Sequence, residues 1–143
     1  MKIMAIDYGD ARTGFAISDR TEFLASPIGT VAERNAERLA DKAAQTAAEY
    51  GAGEIIVGLP INMNGTEGPR AEKCRAFAEL LKERTNVPVR MWDERSTTVT
   101  AHNILNETNV RGKARKAVVD TVAATIILEG YLEYRRKKAK QAD

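Results

Sequence analysis

Apolar positions follow two different periods along this chain. Lys2 to Tyr8 (KIMAIDY) is a short apolar run closed by a carboxylate, which predicts a buried strand with Asp7 at its C-terminal end. Gly9 and Gly14 bracket a turn over Asp10–Thr13, and Phe15–Ser18 opens a second strand, antiparallel to the first. A third short strand is expected between Leu24 and Val31, interrupted by Pro27 and Gly29. From Asn35 to Tyr50 the period lengthens. Ala36, Leu39, Ala40, Ala43, Ala47 and Tyr50 recur at three and four, which predicts a helix that Gly51 stops. Glu54–Leu59 is the next buried strand, followed by a loop over 60–68 with a turn at Asn64-Gly65. Pro69 suits a first helical position, and Ala71, Cys74, Phe77 or Ala78, and Leu81 trace one face of the helix it opens. Val87–Asp93 is a further strand. Ser96 can cap a helix from Thr97 to about Glu107, with Ala101, Ile104 and Leu105 inward. A long helix is expected from Lys113 to about Tyr134.

The order is therefore β-β-β-α-β-α-β-α-α. Two βαβ crossovers imply a parallel portion and the leading hairpins an antiparallel one, so the fold is α/β: a mixed sheet with helices on its faces. The 143 residues correspond to one domain. Residues 1–134 form it, and 135–143 read as a basic, flexible tail.

Composition narrows the chemistry. One Cys excludes an internal disulfide framework and a Cys-rich zinc site, and one His excludes a His-clustered metal site. A bound metal would have to be held by carboxylates, which favours hard cations such as Mg²⁺. No apolar stretch approaches the ~20 residues of a membrane span and no signal peptide is visible, so no membrane partner and a cytoplasmic location are expected. The formal charge is only +2, from 22 Lys and Arg against 20 Asp and Glu. Its distribution is uneven. Arg111, Lys113, Arg115 and Lys116 form one basic cluster, and Arg135, Arg136, Lys137, Lys138 and Lys140 form another. Such asymmetry points to a polyanion partner, although each cluster alone also suits a solvated helix end.

Three carboxylate positions call for an account. Asp7 ends the first strand, Asp93 and Glu94 end the strand beginning at Val87, and Asp120 lies within the last helix, where Asp is a poor residue. Asp120 shares a helix face with Lys113, Lys116, Ala117, Ala123 and Ala124, and the alanines permit close approach of that face to a sheet. Paired with Lys116 on the surface, Asp120 would contribute only ~0.2–0.5 kcal/mol. Brought together at one sheet edge, the three acids would repel one another unless a cation filled the site. Such a cluster can hold one or two Mg²⁺ ions for phosphodiester displacement. Adjacent strand residues point to opposite faces, so only one of Asp93 and Glu94 can meet Asp7, and parity within the sequence does not say which.

These residues resemble a known family. D-Y-G at 7–9 with R-T-G-F-A at 12–16, G-L-P-I-N-M-N-G-T at 58–66, D-E-R-S-T-T at 93–98 and K-A-V-V-D-T-V-A-A-T-I-I-L at 116–128 are similar to the YqgF (RuvX) family of RuvC-like nucleases. The resemblance runs from Lys2 to about Tyr134; Ser96 departs from it, where the family usually has an apolar residue. It implies an RNase H-like fold with a central mixed five-stranded sheet flanked by helices. It implies a metal-dependent endonuclease that resolves Holliday junctions or matures the 5′ end of pre-16S ribosomal RNA. Carried over by position, Asp7, Glu94 and Asp120 are the catalytic, metal-binding acids, with Mg²⁺ as cofactor and Mn²⁺ as a substitute. Arg12, Arg95, Lys113 and Lys116 could hold phosphates of precursor rRNA or branched DNA, while Arg95 equally suits a structural ion pair and Arg12 a solvated surface. Asn62 and Asn64 could contact the substrate backbone, or serve the turn alone. His102 reads as a surface or packing residue, Cys74 as a buried thiol, and Trp92 as sheet packing with base stacking the lesser reading. A dimer would suit a junction and a monomer an RNA end.

Two other classes fit parts of the pattern. A nucleic-acid-binding ribosome-assembly factor that does not cut would use the same basic clusters. The D-x-G hairpin also resembles the phosphate loop of the actin and sugar-kinase group, but those proteins need two such domains.

Overall fold

The computed structural model describes residues 1–93 and 112–142, with the side chains of 112–121 and 140–142 left aside. Five strands form one sheet: β1 (Lys2–Asp7), β2 (Arg12–Ser18), β3 (Ala25–Ala32), β4 (Ala52–Leu59) and β5 (Val89–Asp93). Their order is β3-β2-β1-β4-β5. The β1–β2 and β2–β3 pairs are antiparallel, and β1–β4 and β4–β5 are parallel, so the expected mixed five-stranded sheet is present.

Helices α1 (Ala36–Tyr50) and α2 (Pro69–Lys82) cover one face, and α3 (Gly112–Ala142) covers the other. Asn35 caps α1 by accepting from the Arg38 amide, and Gly51 ends it at φ 69°, a conformation glycine adopts without penalty. Pro69 opens α2, where its missing amide hydrogen costs nothing.

Strand alternation divides the core. Met4, Ile6, Phe15, Ile55 and Val57 pack against Leu39, Ala43, Phe77 and Leu81 of α1 and α2. Ile3, Ala5, Ala16 and Ile56 face Ala124, Ile127, Leu128 and Leu132 of α3. Each large side chain so buried contributes ~1.5–3 kcal/mol.

Two elements differ from expectation. β5 begins at Val89 because Pro88 has no amide to pair; its carbonyl instead accepts from Ile55 N at 2.9 Å. α3 does not end near Tyr134 but continues to Ala142, so the segment read as a flexible tail is its last turns. No Gly or Pro interrupts Leu132–Ala142, and Arg135 is anchored by Glu22 and Glu54. The expected helix over 97–107 lies outside the described residues. Among the described residues no helix is long and apolar enough to cross a membrane.

Candidate active site at the end of the central strand

Asp7 is the last residue of β1, the central strand, and is half-buried. It shares parity with Ile3 and Ala5, so it belongs to the face that α3 covers. Its antiparallel neighbour is Gly14, which adds no side chain beside the carboxylate.

The turn after Asp7 is tightly specified. A Cβ on Gly9 would overlap the carbonyl oxygen of Arg12, so only glycine fits. The Gly9 amide donates to Thr13 Oγ1 at 3.2 Å, and Thr13 is fully buried. Arg12 starts β2 opposite Ala32 and borders an open depression with Glu33 and Arg34.

On the opposite face Tyr8 stacks on Phe77, with ring centroids 4.6 Å apart. Arg70 of α2 donates to the Tyr8 carbonyl and lies 5.5 Å from the centre of its ring. Arg70 and Lys73 both reach Asp10, at 3.2 and 3.4 Å. The sequence reading did not single out these cations. Their signal was the spacing of three on the first turn of a helix that follows a chemistry-bearing loop.

Asp93 shares parity with Val89 and Met91, which pack into the α1 and α2 layer, and it pairs with Leu59, which packs on Ala71 and Cys74 of α2. Asp93 and Asp7 therefore belong to opposite faces of the sheet. Glu94 and Arg95 lie outside the described residues. Lys113, Lys116 and Asp120 fall within α3, but their side chains are not among the described ones. Among the described residues no group of three metal-ligating side chains occurs. The Asp7 carboxylate is a hard oxygen donor of the kind a divalent cation takes.

The other residues weighed in the sequence resolve simply. Asn62 Nδ2 donates to Thr66 Oγ1 at 3.1 Å, and Asn64 Oδ1 accepts from the Thr66 amide at 3.1 Å, so both asparagines build the turn. Cys74 is a buried thiol, and Trp92 packs against the α3 layer. His102 lies outside the described residues.

A family model described as RuvX, Holliday junction resolvase, matches residues 1–134. The chain belongs to the RuvX family. A Halothermothrix orenii protein is 45% identical over 137 residues, covering 96% of this chain and 98% of its own length. A Clostridium novyi protein is 44% identical over 133 residues, covering 93% and 98%. Both are named as candidate pre-16S rRNA nucleases. Among solved structures, Thermus thermophilus RuvC bound to a Holliday junction aligns with a TM-score of 0.60 at 11% identity, over 95% of this chain and 96% of that one. The fowlpox virus Holliday junction resolvase aligns with a TM-score of 0.55 at 18% identity, over 94% and 99%. These likenesses show the fold: this RuvX member has the RNase H-like α/β architecture expected from its motifs.

Proposed function

We propose that this RuvX member is a metal-dependent endonuclease that hydrolyses phosphodiester bonds in structured nucleic acid. The observation that carries the reading is the position of Asp7 at the C-terminal end of the central strand, on the face covered by α3. The direction of α3 supports a meeting with Asp120. Tyr131 is bonded to Glu54, and Ile3 pairs with Glu54, so this part of α3 lies over the N-terminal ends of β1 and β4. From Tyr131 back to Asp120 the helix rises ~16 Å, and from Ile3 to Asp7 the strand advances ~13 Å. Asp120 also precedes Ala124, Ile127 and Leu128 at four, seven and eight residues, the stripe that packs on the sheet. Since Asp93 belongs to the other face, Glu94 is the acid of the D-E-R motif that we assign to the site.

Asp7, Glu94 and Asp120 would hold Mg²⁺, with Mn²⁺ as a substitute, because three oxygen donors suit a hard cation. A divalent cation there supplies Lewis acidity to an in-line displacement at phosphorus. The carboxylates would fix the cation beside the scissile phosphate, and Arg12, Arg95, Lys113 and Lys116 would hold the neighbouring phosphates by charge-assisted hydrogen bonds. Precursor ribosomal RNA is the first substrate reading, supported by the names of relatives 44–45% identical over nearly the whole chain. Junction DNA is the second, supported by the description of the family model. A cytoplasmic site of action goes with the first. A monomer suffices for an RNA end, and a homodimer for a junction.

Cleavage of precursor 16S RNA and of a four-way DNA junction, assayed side by side with Mg²⁺, Mn²⁺ or EDTA, tests the reading. Asp7→Asn and Asp120→Asn should abolish metal-dependent cleavage while the circular dichroism spectrum is retained. Wild-type cleavage rates in either variant, or in EDTA, would overturn it.

A further inference from the structure

A second surface, away from Asp7, has the composition of a nucleic-acid contact. The edge strand β5 and the C-terminal half of α3 border a groove of about 530 Å³, lined by Arg90, Trp92, Tyr131, Tyr134, Arg135 and Lys138 among others. That volume falls within the ~300–1,000 Å³ of ordinary ligand sites. Its aromatic side is continuous: Trp92 lies 5.3 Å from both Tyr131 and Tyr134, centroid to centroid. Tyr131 is buried, but Tyr134 is 45% exposed, so one aromatic face reaches solvent. Lys138 stands 5.7 Å from the centre of the Tyr134 ring, and among the described residues it bonds to no carboxylate.

The charge of the groove is unbalanced toward solvent. Arg90 and Arg135 bond to Glu54, which is 2% exposed, and Arg135 also bonds to Glu22. Glu54 is thus turned inward and Glu22 is held by Arg135, while Arg90, at 64% side-chain exposure, and Lys138 face out. Arg136 and Lys137, on the same turns, line the adjoining depression instead, where Lys137 pairs with Glu133 at 3.2 Å.

We propose that this groove is an accessory binding site for single-stranded nucleic acid, with a base stacked on Tyr134 and the flanking phosphates held by Arg90 and Lys138. Stacking on an aromatic ring accepts any base, and lysine and arginine beside it hold the backbone. Cations flank the exposed ring, an arrangement that suits a base between two phosphates. The inference rests on the nuclease reading for the identity of the ligand.

The groove is within reach of the same strand that occupies the Asp7 site. The register runs from Ala5 to Ile56 to Arg90, which places Arg90 two strands across and two residues back from Asp7. Strand spacing and rise put these Cα atoms ~12 Å apart. Arg90 is the near edge of the groove; Tyr134 lies fourteen residues, ~21 Å, along α3 from Asp120, so about six nucleotides at ~3.4 Å rise join the stacking ring to the acids. The site would therefore hold the single-stranded flank of a substrate and set its direction across the catalytic acids.

The test is fluorescence anisotropy of a labelled 12-nucleotide oligouridylate with the full chain in EDTA, where cleavage does not intervene. Tyr134→Leu keeps the apolar bulk and removes the ring; it should weaken binding about fivefold or more. Inorganic polyphosphate should compete equally against wild type and this variant, because it has no base to stack. Lys138→Gln should lower the slope of log K against log salt by about 0.7, one phosphate contact on a single strand. Lys138 is exposed, and at Tyr134 leucine keeps an apolar contact with Trp92, so urea titration of both variants checks that the fold is retained. No binding by the wild type, or titrations by both variants that superimpose on it, would overturn the accessory site. Equal losses for oligouridylate and polyphosphate in Tyr134→Leu would overturn the stacking role. Wild-type cleavage by Asp7→Asn would instead overturn the nuclease reading, with the binding result standing apart.

Discussion

The phenol of Tyr131 donates a hydrogen bond to Glu54 Oε1 and so joins α3 to the start of β4 inside the molecule. Arg90 and Arg135 approach the same carboxylate at 3.2 and 3.4 Å. Burial, then the hydrogen bond to Glu54, raise the Tyr131 pKa above the ordinary tyrosine value, so the phenol remains a donor at neutral pH. This group of residues holds the C-terminal half of α3 on the sheet and thereby sets the line along which the rest of the helix runs.

Tyr131→Phe removes that donor and leaves a buried carboxylate with fewer partners. A cost of about 1–2 kcal/mol is expected. Urea titration checks it: the midpoint should fall while the slope stays constant. An unchanged midpoint would mean that the two arginines satisfy Glu54 without the phenol.

Glu22 gives a pH dependence. Burial pushes its carboxyl upward, but hydrogen bonds and charge from Arg135, at 2.5 Å, and from the N-terminal amine, at 3.2 Å, outweigh burial. The net effect is a pKa below the ordinary glutamate value of 4.5. A depressed folded-state value means that the unfolded chain takes up its proton first as pH falls. The stabilisation is therefore complete above the ordinary value and is lost as pH falls through the folded one. Wild type should exceed Glu22→Gln in stability at pH 7, and the difference should shrink on acidification below 4.5. Chemical denaturation of both proteins across that range measures it; a constant difference would contradict the assignment.

Gly9→Ala should damage the candidate site through the backbone. The added methyl overlaps the Arg12 carbonyl, so the turn after Asp7 must open. A loss of about 1–3 kcal/mol is expected from the overlap. Cleavage should fall further than stability does, because Asp7 moves with the turn; denaturation and cleavage assays on one preparation separate the two effects.

The two acids of the D-E-R motif should behave differently. Asp93→Asn alters the face packed by α1 and α2 and should keep metal-dependent cleavage. Glu94→Gln should abolish it. Equal losses in the two variants would undo the assignment of Glu94.

Much of the architecture was legible in the sequence because local periodicity reports burial. The switch from the short apolar run at Lys2–Tyr8 to the three-and-four spacing of Ala36–Tyr50 marks strand and helix correctly. Gly51 and Pro69 mark helix ends by backbone constraint alone. The end of α3 was not legible. A run of lysines and arginines has helix propensity but no apolar stripe, and what continues the helix is a contact from Arg135 to Glu22, 113 residues away.

Along the chain, the sequence alone determined the order of the described elements and the family of motifs, since these depend on neighbouring residues. It could not assign faces. Strand alternation relates Asp93 to Glu94 only as opposites, and Asp7 lies in another strand. The tertiary structure decided the matter by packing Val89 and Met91 against α1 and α2, and Ile3 and Ala5 against α3. Which side of a sheet a residue occupies is set by the pairing register and by the helix that covers that side, and both are contacts between distant parts of the chain.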